Sequence, residues 1–392
     1  MIAFCELSFD DGTHAPFNAG LLATVHIAFP EEALQFFGSA GHIDALKAQV
    51  GTVLTQAITW IEVEPPTPGT PYLKRFAREM TIVRRVMRLV QHDSRLRLVF
   101  TSAYPSTVMA IKMARSLITR SVPVQIVLHG LSGVVGKRYR RPIRRFQDMK
   151  TALTMWGNTG IQYVVLEQAV HERVMTNVPA LAKRFQTFDH PIAPDEGEDV
   201  VGDLGEPIRF GFLGLALASK GFPLFVALAK DLGKRYGRRV EFHAIGRFHE
   251  QSIPIAGIEA LTTVPRRGSS LSRAEFIRGV MPLHFIFLLH EASSYSLTAS
   301  GVLLDAIAWG KPVIARDIPI FQDMFKRYGD IGYLFTDEAQ LTAIVEQVVQ
   351  DKDESRYQRQ VVNLRSARES RSPASLAVPY RAMCAMAQGV AE

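Results

Sequence analysis

Short apolar runs rich in β-branched and aromatic residues alternate with helical segments along the 392 residues, and this alternation constrains the fold more than any other feature. The runs are apolar on both faces, which favours parallel strands covered by helices on each side. The first half has seven such runs, which begin at Met1, Glu32, Thr55, Arg95, Val122, Ile161 and Phe185. The second half has five, which begin at Ile208, Val240, Leu283, Lys311 and Gly332. The sequence therefore predicts an α/β protein with two doubly wound, Rossmann-like domains facing a cleft.

An acidic segment joins the two halves. Residues 187–207 hold seven Asp or Glu, three Pro and three Gly but no Lys or Arg, a composition typical of an exposed linker. We therefore predict a first domain over residues 1–190, a linker over 191–207 and a second domain over 208–372. A final, weakly amphipathic helix is predicted over 373–392.

The composition excludes several other classes of protein. A hydrophobic fraction of 47% and a charged fraction of 21% are ordinary globular values, which excludes disordered, collagen-like and coiled-coil chains. The two cysteines, Cys5 and Cys384, exclude a disulfide scaffold or a cysteine zinc cluster and suit a reducing cytosol. The N-terminus has no basic segment, and no apolar run approaches the roughly 20 residues of a membrane span. We expect a soluble, cytoplasmic protein.

The net charge of +7 is unevenly distributed. Residues 74–150 hold 18 Lys or Arg and three acids, a local surplus of 15, whereas residues 196–392 balance at 23 against 23. Such a one-sided field attracts a polyanion. Cations at 74–88 and 137–145 are interleaved with apolar side chains, which favours an anionic membrane surface over nucleic acid, for which no recognition motif is present. A solvated helix face is the alternative interpretation.

The most informative motif lies in residues 283–321. After a predicted strand and a polar loop, Ser300 suits the N-cap of a helix that begins at Gly301 and stops at Gly310. A helix start after the carboxyl end of a parallel strand can bind phosphate through its free N–H groups. Asp305 lies roughly 7.5 Å farther along the axis, about the distance from a diphosphate to its ribose. Asp305 is therefore a candidate acceptor for sugar hydroxyls, and a solvated Asp is the alternative.

This segment resembles the donor-binding segment of GT-B glycosyltransferases, especially the retaining enzymes of glycosyltransferase family 4. Their pattern E-G-F-G-x-x-x-x-E-A-x-A-x-G-x-P-V-I is matched in its latter part by DAIAWGKPVI at residues 305–314. The resemblance places Asp305 at the Glu that holds the nucleotide ribose. The first Glu of the pattern, which contacts the donor sugar, is replaced by Leu297, and Glu291 is the alternative acid in this loop.

A second segment, residues 210–235, resembles the family's G-R-L-x-x-x-K-G sequence, whose Arg and Lys bind the donor diphosphate. The predicted strand ends at Gly214, and Lys220 matches the family Lys at the start of a helix. Leu215 stands in place of the family Arg. The candidates for a replacement cation are Arg247, Arg266 and Arg267.

In the first domain, His129 follows a predicted buried strand and resembles the histidine that family members carry near the donor sugar. A hydrogen-bonded structural histidine is the alternative. The loop after the first strand, which contains Gly12, loosely resembles the family's glycine loop for donor and acceptor. The predicted catalytic residues are His129 and Lys220. The predicted substrate-binding residues are Gly12, Gly214, Lys220, Thr298, Ser300, Gly301 and Asp305.

The resemblance implies a glycosyltransferase of hexosyltransferase type, retaining and metal-independent, that requires no cofactor. Its donor is a nucleoside-diphosphate sugar, and its acceptor is a lipid-linked or polysaccharide-type glycan at the cytoplasmic face of the membrane, where the enzyme is peripherally attached. The resemblance also implies that the final helix crosses back to the first domain. The alternative is a sugar-nucleotide epimerase or an inactive GT-B scaffold, which the departures at Leu215 and Leu297 favour.

Overall fold

The computed structural model of the chain describes residues 1–67, 69–90, 97–117, 123–131, 142–157, 160–194, 202–248, 258–264, 271–291 and 299–389. The chain divides into two compact units. The first unit is built mainly from Met1–Asp195 and Ser370–Glu392, and the second from Glu196–Ser296 and Ser300–Glu369.

The first unit contains a parallel sheet of seven described strands in the order β3-β2-β1-β4-β5-β6-β7. Each apolar run predicted in the first half contains one of these strands, so this part of the prediction is confirmed. The strands are β1 (Ile2–Cys5), β2 (Leu34–Gly38), β3 (Ile58–Glu62), β4 (Arg97–Phe100), β5 (Val124–Leu128), β6 (Ile161–Leu166) and β7 (Phe185–Phe188).

Helices pack against this sheet through buried apolar side chains, and the helix Ala40–Ala57, for example, buries Ile43, Leu46, Val50 and Leu54. The helices of the first half are α1 (Ala15–Ala28), α2 (Ala40–Ala57), α3 (Tyr72–Val90), α4 (Pro105–Ser116), α5 (Met149–Thr154) and α6 (Gln168–Asn177). The last helix, α13 (Pro373–Gly389), also belongs to this unit. Its Leu376 and Met383 lie in the core of the first unit, and the Tyr380 hydroxyl donates to Gln125 Oε1 at 2.8 Å. The predicted return of the final helix to the first domain is confirmed.

The second unit contains a parallel sheet of six described strands in the order β10-β9-β8-β11-β12-β13. The strands are β8 (Ile208–Leu213), β9 (Val240–Ile245), β10 (Thr262–Val264), β11 (Phe285–Leu288), β12 (Val313–Arg316) and β13 (Gly332–Phe335). The helices are α7 (Phe222–Tyr236), α8 (Arg273–Val280), α9 (Gly301–Ala308), α10 (Pro319–Tyr328), α11 (Glu338–Asp351) and α12 (Glu354–Ser370). Strand β10 was not predicted because its three residues, TTV, form no apolar run.

The two doubly wound, Rossmann-like units confirm the predicted fold class. Of the predicted linker, Pro191, Ile192 and Ala193 are buried in the first unit, where the Ile192 N–H donates to the Arg371 carbonyl at 3.1 Å. Residues 195–201 lie outside the described residues.

Each sheet has one point at which the strand order reverses, between β1 and β4 in the first unit and between β8 and β11 in the second. Loops that leave the carboxyl ends of such a strand pair diverge, and ligands of doubly wound sheets bind in the crevice between them. In the second unit these are the loop with Gly214 and Lys220 and the connection that leads to Ser300. The topology therefore places these predicted residues at the ligand-binding edge of their sheet.

Candidate active site

Gly214 and Lys220 lie together at the carboxyl edge of the second sheet. Gly214 has a φ of +85°, in the left-handed region that favours glycine. A Cβ on Gly214 would lie 4.0 Å from Lys220 Nζ and 3.6 Å from Cγ2 of Val302 in the first turn of α9. The end of β8, the lysine and the start of α9 therefore meet at one place.

The position of Lys220 is set by a tight contact with the chain that follows β11. Lys220 ends a short 3₁₀ turn, and Gly221 adopts a φ of +77°. A Cβ on Gly221 would lie 2.5 Å from the Leu289 Cβ, so glycine is required for this close approach. The Glu291 N–H also donates to the Ser219 carbonyl at 3.2 Å. Burial lowers the pKa of Lys220, and no carboxylate among the described residues forms an ion pair with it.

His290 is a neighbour of Lys220 that the sequence did not identify. Its side chain is buried, and burial together with the positive charge of Lys220 lowers its pKa to about 3. The imidazole is therefore neutral at physiological pH and adds no charge beside Lys220. Its ring centroid lies 6.0 Å from that of Phe321.

The start of α9 matches the prediction at Ser300. The Ser300 hydroxyl accepts a hydrogen bond from the Leu303 N–H at 3.2 Å, so Ser300 is the N-cap of this helix. Gly301 is exposed, and no described atom lies within 4 Å of the position that its Cβ would take. Among the described residues, none covers Gly301 at the start of the first turn. Thr298 and Leu297 lie outside the described residues.

Asp305 forms an ion pair, which departs from the solvated side chain that was the alternative interpretation, while its role toward a sugar hydroxyl stays a prediction. Its Oδ1 accepts a hydrogen bond from Arg273 Nη2 at 2.7 Å, and both side chains are largely buried. Arg273 begins α8, whose Ser272–Glu275 capping box is visible in the sequence, but the sequence does not show what its first residue contacts. Oδ2 of Asp305 is not used by this bond and can accept from a sugar hydroxyl.

In the first unit, His129 follows β5 and its Nε2 lies 2.8 Å from the Thr101 carbonyl. A carbonyl can only accept, so Nε2 carries the proton and Nδ1 is an acceptor. Burial lowers the pKa of His129 to about 4, so the ring is neutral. The bond to Thr101 matches the structural interpretation of His129, whereas its role near the donor sugar, which would use the lone pair of Nδ1, stays a prediction.

Two further histidines, His14 and His190, lie beside His129 and were missed. The ring centroid of His129 lies 4.2 Å from that of His14 and 6.3 Å from that of His190, and the ring of Phe17 packs against His129 at 4.4 Å. His14 adopts a φ of +65°, an uncommon conformation for a residue other than glycine. Burial and the neighbouring histidines hold the pKa of His14 well below its usual range. Gly12, in the same loop, is exposed, and a Cβ there would make an ordinary contact with Ala45 at 3.7 Å.

A buried carboxylate at the end of β1 organises the same edge of the first sheet. Glu6 accepts hydrogen bonds from the Thr101 hydroxyl at 3.0 Å, from the Ser8 N–H at 2.8 Å and from the Ser102 hydroxyl. Asn18 Nδ2 donates at 3.5 Å to Glu6 Oε2, the oxygen that also accepts from Thr101. Glu6 therefore connects the loops after β1 and β4, and the carbonyl of Thr101 in turn holds His129.

No family model matches the chain, and no curated protein matches it in sequence. Solved structures do match. HepE of Anabaena, determined in complex with UDP, is 12% identical over 99% of each chain, with a TM-score of 0.64. Sucrose-phosphate synthase of Thermosynechococcus elongatus is 13% identical over 99% of each chain, with a TM-score of 0.68. WaaG, a glycosyltransferase involved in lipopolysaccharide biosynthesis, is 13% identical over 98% of this chain and 99% of its own, with a TM-score of 0.63.

The chain has the GT-B fold. At these identities the likeness shows the arrangement of the backbone, so the roles of individual residues depend on the geometry of the site. Of the residues predicted to bind the donor, Gly214 and Lys220 lie beside the start of α9, which carries Ser300, Gly301 and Asp305.

The basic surface of this GT-B chain is carried in its described part by α3. The buried face of this helix consists of Ile82, Val83, Val86 and Met87. On the opposite face, Arg84, Arg85 and Arg88 are exposed and line a groove with Met80, Thr81 and Leu89. No carboxylate in the described ranges pairs with these three arginines, which we call the α3 arginine patch.

Two other arginines of α3 are paired, since Arg75 contacts Glu79 at 3.5 Å and Arg78 contacts Glu64. Of the second predicted basic segment, residues 137–141 lie outside the described residues, and Arg145 is exposed. None of the described helices is both long and apolar enough to span a membrane.

Proposed function

We propose that the protein is a glycosyltransferase that transfers a sugar from a nucleoside-diphosphate sugar to a glycan or lipid-linked acceptor. The observation that carries this proposal is the meeting of Gly214, Lys220 and the start of α9 at the switch point of the second sheet. A lysine that no carboxylate of the described residues pairs with, beside a helix start that none of them covers, is suited to bind a diphosphate.

Charge neutralisation at this place supplies the chemistry of the transfer. The bond between the anomeric carbon and the diphosphate oxygen breaks, and the oxygen keeps the electron pair, so negative charge develops on the leaving diphosphate. The hydroxyl oxygen of the acceptor bonds to the anomeric carbon, and its proton passes to the leaving diphosphate. Lys220 and the partial positive charge at the start of α9 stabilise that charge in place, without reorganisation of solvent. We propose that these protein groups make a metal ion unnecessary.

We propose roles at the nucleoside and sugar ends of the donor from the family resemblance, supported by the free acceptor positions of Asp305 and His129. Asp305 accepts a hydrogen bond from a ribose hydroxyl through Oδ2 while Oδ1 stays bonded to Arg273. His129 accepts a hydrogen bond from a hydroxyl of the transferred sugar through Nδ1. Retention of the anomeric configuration is proposed from the resemblance of residues 305–314 to family 4. It is tested by the NMR coupling constant of the product's anomeric proton.

On the acceptor side, we propose a lipid-linked or polysaccharide-type glycan and peripheral attachment to the cytoplasmic face of an anionic membrane. The α3 arginine patch supports this proposal because it is exposed and pairs with no carboxylate in the described part of the chain. Each Arg near an anionic surface contributes about 1 kcal/mol of attraction. That WaaG, of the same fold, is involved in lipopolysaccharide biosynthesis is consistent with an acceptor of this kind.

Isothermal titration with UDP, GDP and ADP tests the proposal. The wild type is expected to bind at least one of them, and Lys220→Ala is expected to weaken that binding about 10- to 100-fold, as for loss of a charge-assisted hydrogen bond. Lys230→Ala, which removes an exposed lysine of α7, is the matched control and should bind as the wild type does. Absence of binding by the wild type, or equal binding by Lys220→Ala, would overturn the proposal.

A donor-hydrolysis assay and a screen of lipid-linked acceptors with the same proteins then test transfer. The activity is established if the wild type transfers sugar to one of these acceptors and Lys220→Ala does not. Binding without transfer or hydrolysis identifies an inactive scaffold. Interconversion of the free sugar nucleotide identifies an epimerase.

A further inference from the structure

The family pattern has two cations for the donor diphosphate, and this chain has Leu215 at the place of one of them. A diphosphate carries several negative charges, so Lys220 alone leaves part of that charge unmatched. Of the three arginines considered as replacements, Arg266 and Arg267 lie outside the described residues, whereas Arg247 is described.

Arg247 is the register neighbour of Leu215 on the adjacent chain. Beyond the end of β9, the Arg247 N–H donates to the Gly214 carbonyl at 3.1 Å, and the Arg247 carbonyl accepts from the Ala216 N–H at 2.9 Å. In a parallel ladder, a residue that bonds to the positions before and after Leu215 is the partner of Leu215 itself. Partners in register project to the same face, with their strands about 4.8 Å apart.

This pairing depends on a close approach between two glycines. Gly246 has a φ of +142°, and a Cβ at this position would lie 2.1 Å from the Gly214 carbonyl oxygen. Any larger residue would separate the two chains and move Arg247 away from Gly214. The sequence Gly246–Arg247 therefore fixes an arginine beside the loop that carries Lys220.

The side chain of Arg247 is exposed, and no carboxylate of the described residues pairs with it. Other arginines of this unit are paired, such as Arg209 with Glu241 at 2.9 Å and Arg239 with Glu206 at 2.9 Å. Lys220 Nζ lies 4.0 Å from the position of a Cβ on Gly214, and the Arg247 backbone is bonded to the same glycine. Gly214 thus adjoins two cations that have no carboxylate partner among the described residues, Lys220 beside the position of its absent Cβ and Arg247 through the backbone.

We propose that Arg247 binds the donor diphosphate together with Lys220 and replaces, from the neighbouring strand, the arginine that is absent at Leu215. This inference rests on the proposed function and adds a residue to its diphosphate site. The planar guanidinium offers paired N–H donors that match phosphate oxygens, whereas Lys220 acts as a point charge. During transfer, both groups neutralise the oxygen that departs with the bonding electrons.

The first test is titration of Arg247→Ala with the nucleoside diphosphate that the wild type binds best among UDP, GDP and ADP. We expect binding about 10- to 100-fold weaker than in the wild type. The corresponding nucleoside, which lacks phosphate, should bind both proteins equally. Arg238→Ala, which removes an exposed arginine before β9, is the matched control and should not change either affinity. Arg247→Lys should give an intermediate affinity because it keeps the positive charge and loses the paired N–H donors of the guanidinium.

The decisive variant moves the cation back. Leu215→Arg combined with Arg247→Ala should recover most of the lost affinity for the diphosphate, because the new side chain projects from the register partner of Arg247. Unchanged diphosphate binding by Arg247→Ala, beside weakened binding by Lys220→Ala, would overturn this inference and leave the proposed function intact. If the wild type bound no nucleoside diphosphate, the proposed function would fail and the role of Arg247 with it. Thermal unfolding of each variant establishes that it is folded.

Discussion

Arg371 and Glu167 form a bidentate ion pair inside the first unit, with Nη1 donating to Oε1 at 2.7 Å and Nη2 to Oε2 at 2.8 Å. The Arg371 side chain is 0% exposed and that of Glu167 is 3% exposed. The same guanidinium also donates to the His190 carbonyl at 3.3 Å. The pair therefore joins the residues that lead into α13 to the segment that carries His190, next to His129.

Removal of one partner of this pair is expected to destabilise the first unit strongly. Arg371→Met leaves the Glu167 carboxylate buried without its counter-charge, which costs about 3–5 kcal/mol in comparable pairs. Urea unfolding followed by tryptophan fluorescence measures the loss, because Trp60 and Trp156 belong to the first unit and Trp309 to the second. The fluorescence transition of the first unit should occur at a lower urea concentration than in the wild type.

The matched control is Arg359→Met, which removes an exposed arginine from α12. It should leave the urea midpoint within experimental error of the wild type. The double variant Arg371→Met, Glu167→Met should recover part of the stability, since both buried charges are gone. If the single variant unfolded like the wild type, the ion pair would not contribute to holding α13 in place.

Four histidines make the stability of both units sensitive to acid. Burial lowers the pKa of His129 and of His284 to about 4, and those of His190 and His290 to about 3. Below the ordinary pKa of about 6.5, the unfolded chain binds protons that the folded chain does not, so stability present above 6.5 is lost as the pH falls toward 4. Each such histidine contributes up to about 1.4 kcal/mol per pH unit in this window.

The measurement is the urea midpoint at pH 7.5, 7, 6 and 5 with constant ionic strength. We expect little change from 7.5 to 7 and a progressive decrease below 6.5 in the fluorescence of both units. His284→Asn removes one titrating group from the second unit. The urea midpoint reported by Trp309 should therefore decrease less steeply as the pH falls. A midpoint independent of pH between 7 and 5 would contradict the neutral, buried state of these rings.

The proposed role of His129 predicts a change in turnover without a change in nucleotide binding. His129→Gln should lower kcat about 10- to 100-fold, the effect of losing one hydrogen bond to the reacting sugar. The affinity for the nucleoside diphosphate should stay unchanged. Because the pKa of His129 is lowered to about 4, the wild-type rate should show no transition from this residue between pH 5.5 and 8. Equal kcat in wild type and variant would leave His129 a structural residue bonded to Thr101.

The sequence predicts the strands of this protein well because most of them are buried on both faces and leave an apolar run. It also predicts the helix start at Ser300, where an N-cap residue follows a polar loop. These features are local, since a few neighbouring residues determine them. Strand β10 was missed because its Thr262 and Thr263 carry no apolar signal, and its position depends on pairing with β9.

The contacts of the site depend on residues that are distant in the sequence. Asp305 pairs with Arg273, 32 positions earlier, and His14 stacks on His129 from a loop more than 100 positions away. Lys112 is another example. It lies on α4, where the ammonium is buried and donates to the carbonyls of Ala152, Leu153 and Met155. Hydrophobic periodicity in the sequence does not predict such a contact, because the partners are brought together only by the topology of the fold.

The ion pair of Asp305 leads to a prediction about the ribose. If Oδ2 binds a ribose hydroxyl, the wild type should bind the ribonucleoside diphosphate more tightly than its 2′- or 3′-deoxy analogue. Asp305→Ala should weaken ribonucleotide binding and abolish that preference. Titration of both ligands into both proteins gives the coupling between the carboxylate and the hydroxyl. Asp337→Ala, which removes the N-cap carboxylate of α11, is the control. A preference that persists in Asp305→Ala would exclude this contact.

The α3 arginine patch predicts reversible binding to anionic vesicles. Arg84, Arg85 and Arg88 are exposed beside Leu89, which is 56% exposed and can insert shallowly among the headgroups. Flotation should recover the wild type with anionic vesicles and not with neutral ones. Binding should weaken as salt shortens the Debye length from about 10 Å at 0.1 M to about 3 Å at 1 M.

Replacement of Arg84, Arg85 and Arg88 by Gln should lower this binding by at least tenfold, since each cation contributes about 1 kcal/mol at an anionic surface. The matched control replaces Lys230, Lys234 and Arg238, three exposed cations of the second unit, and changes the net charge by the same amount. Because the attraction is local, the control should still bind the vesicles. Equal loss in both variants would show that net charge alone drives binding, and equal retention would show that the patch is merely solvated.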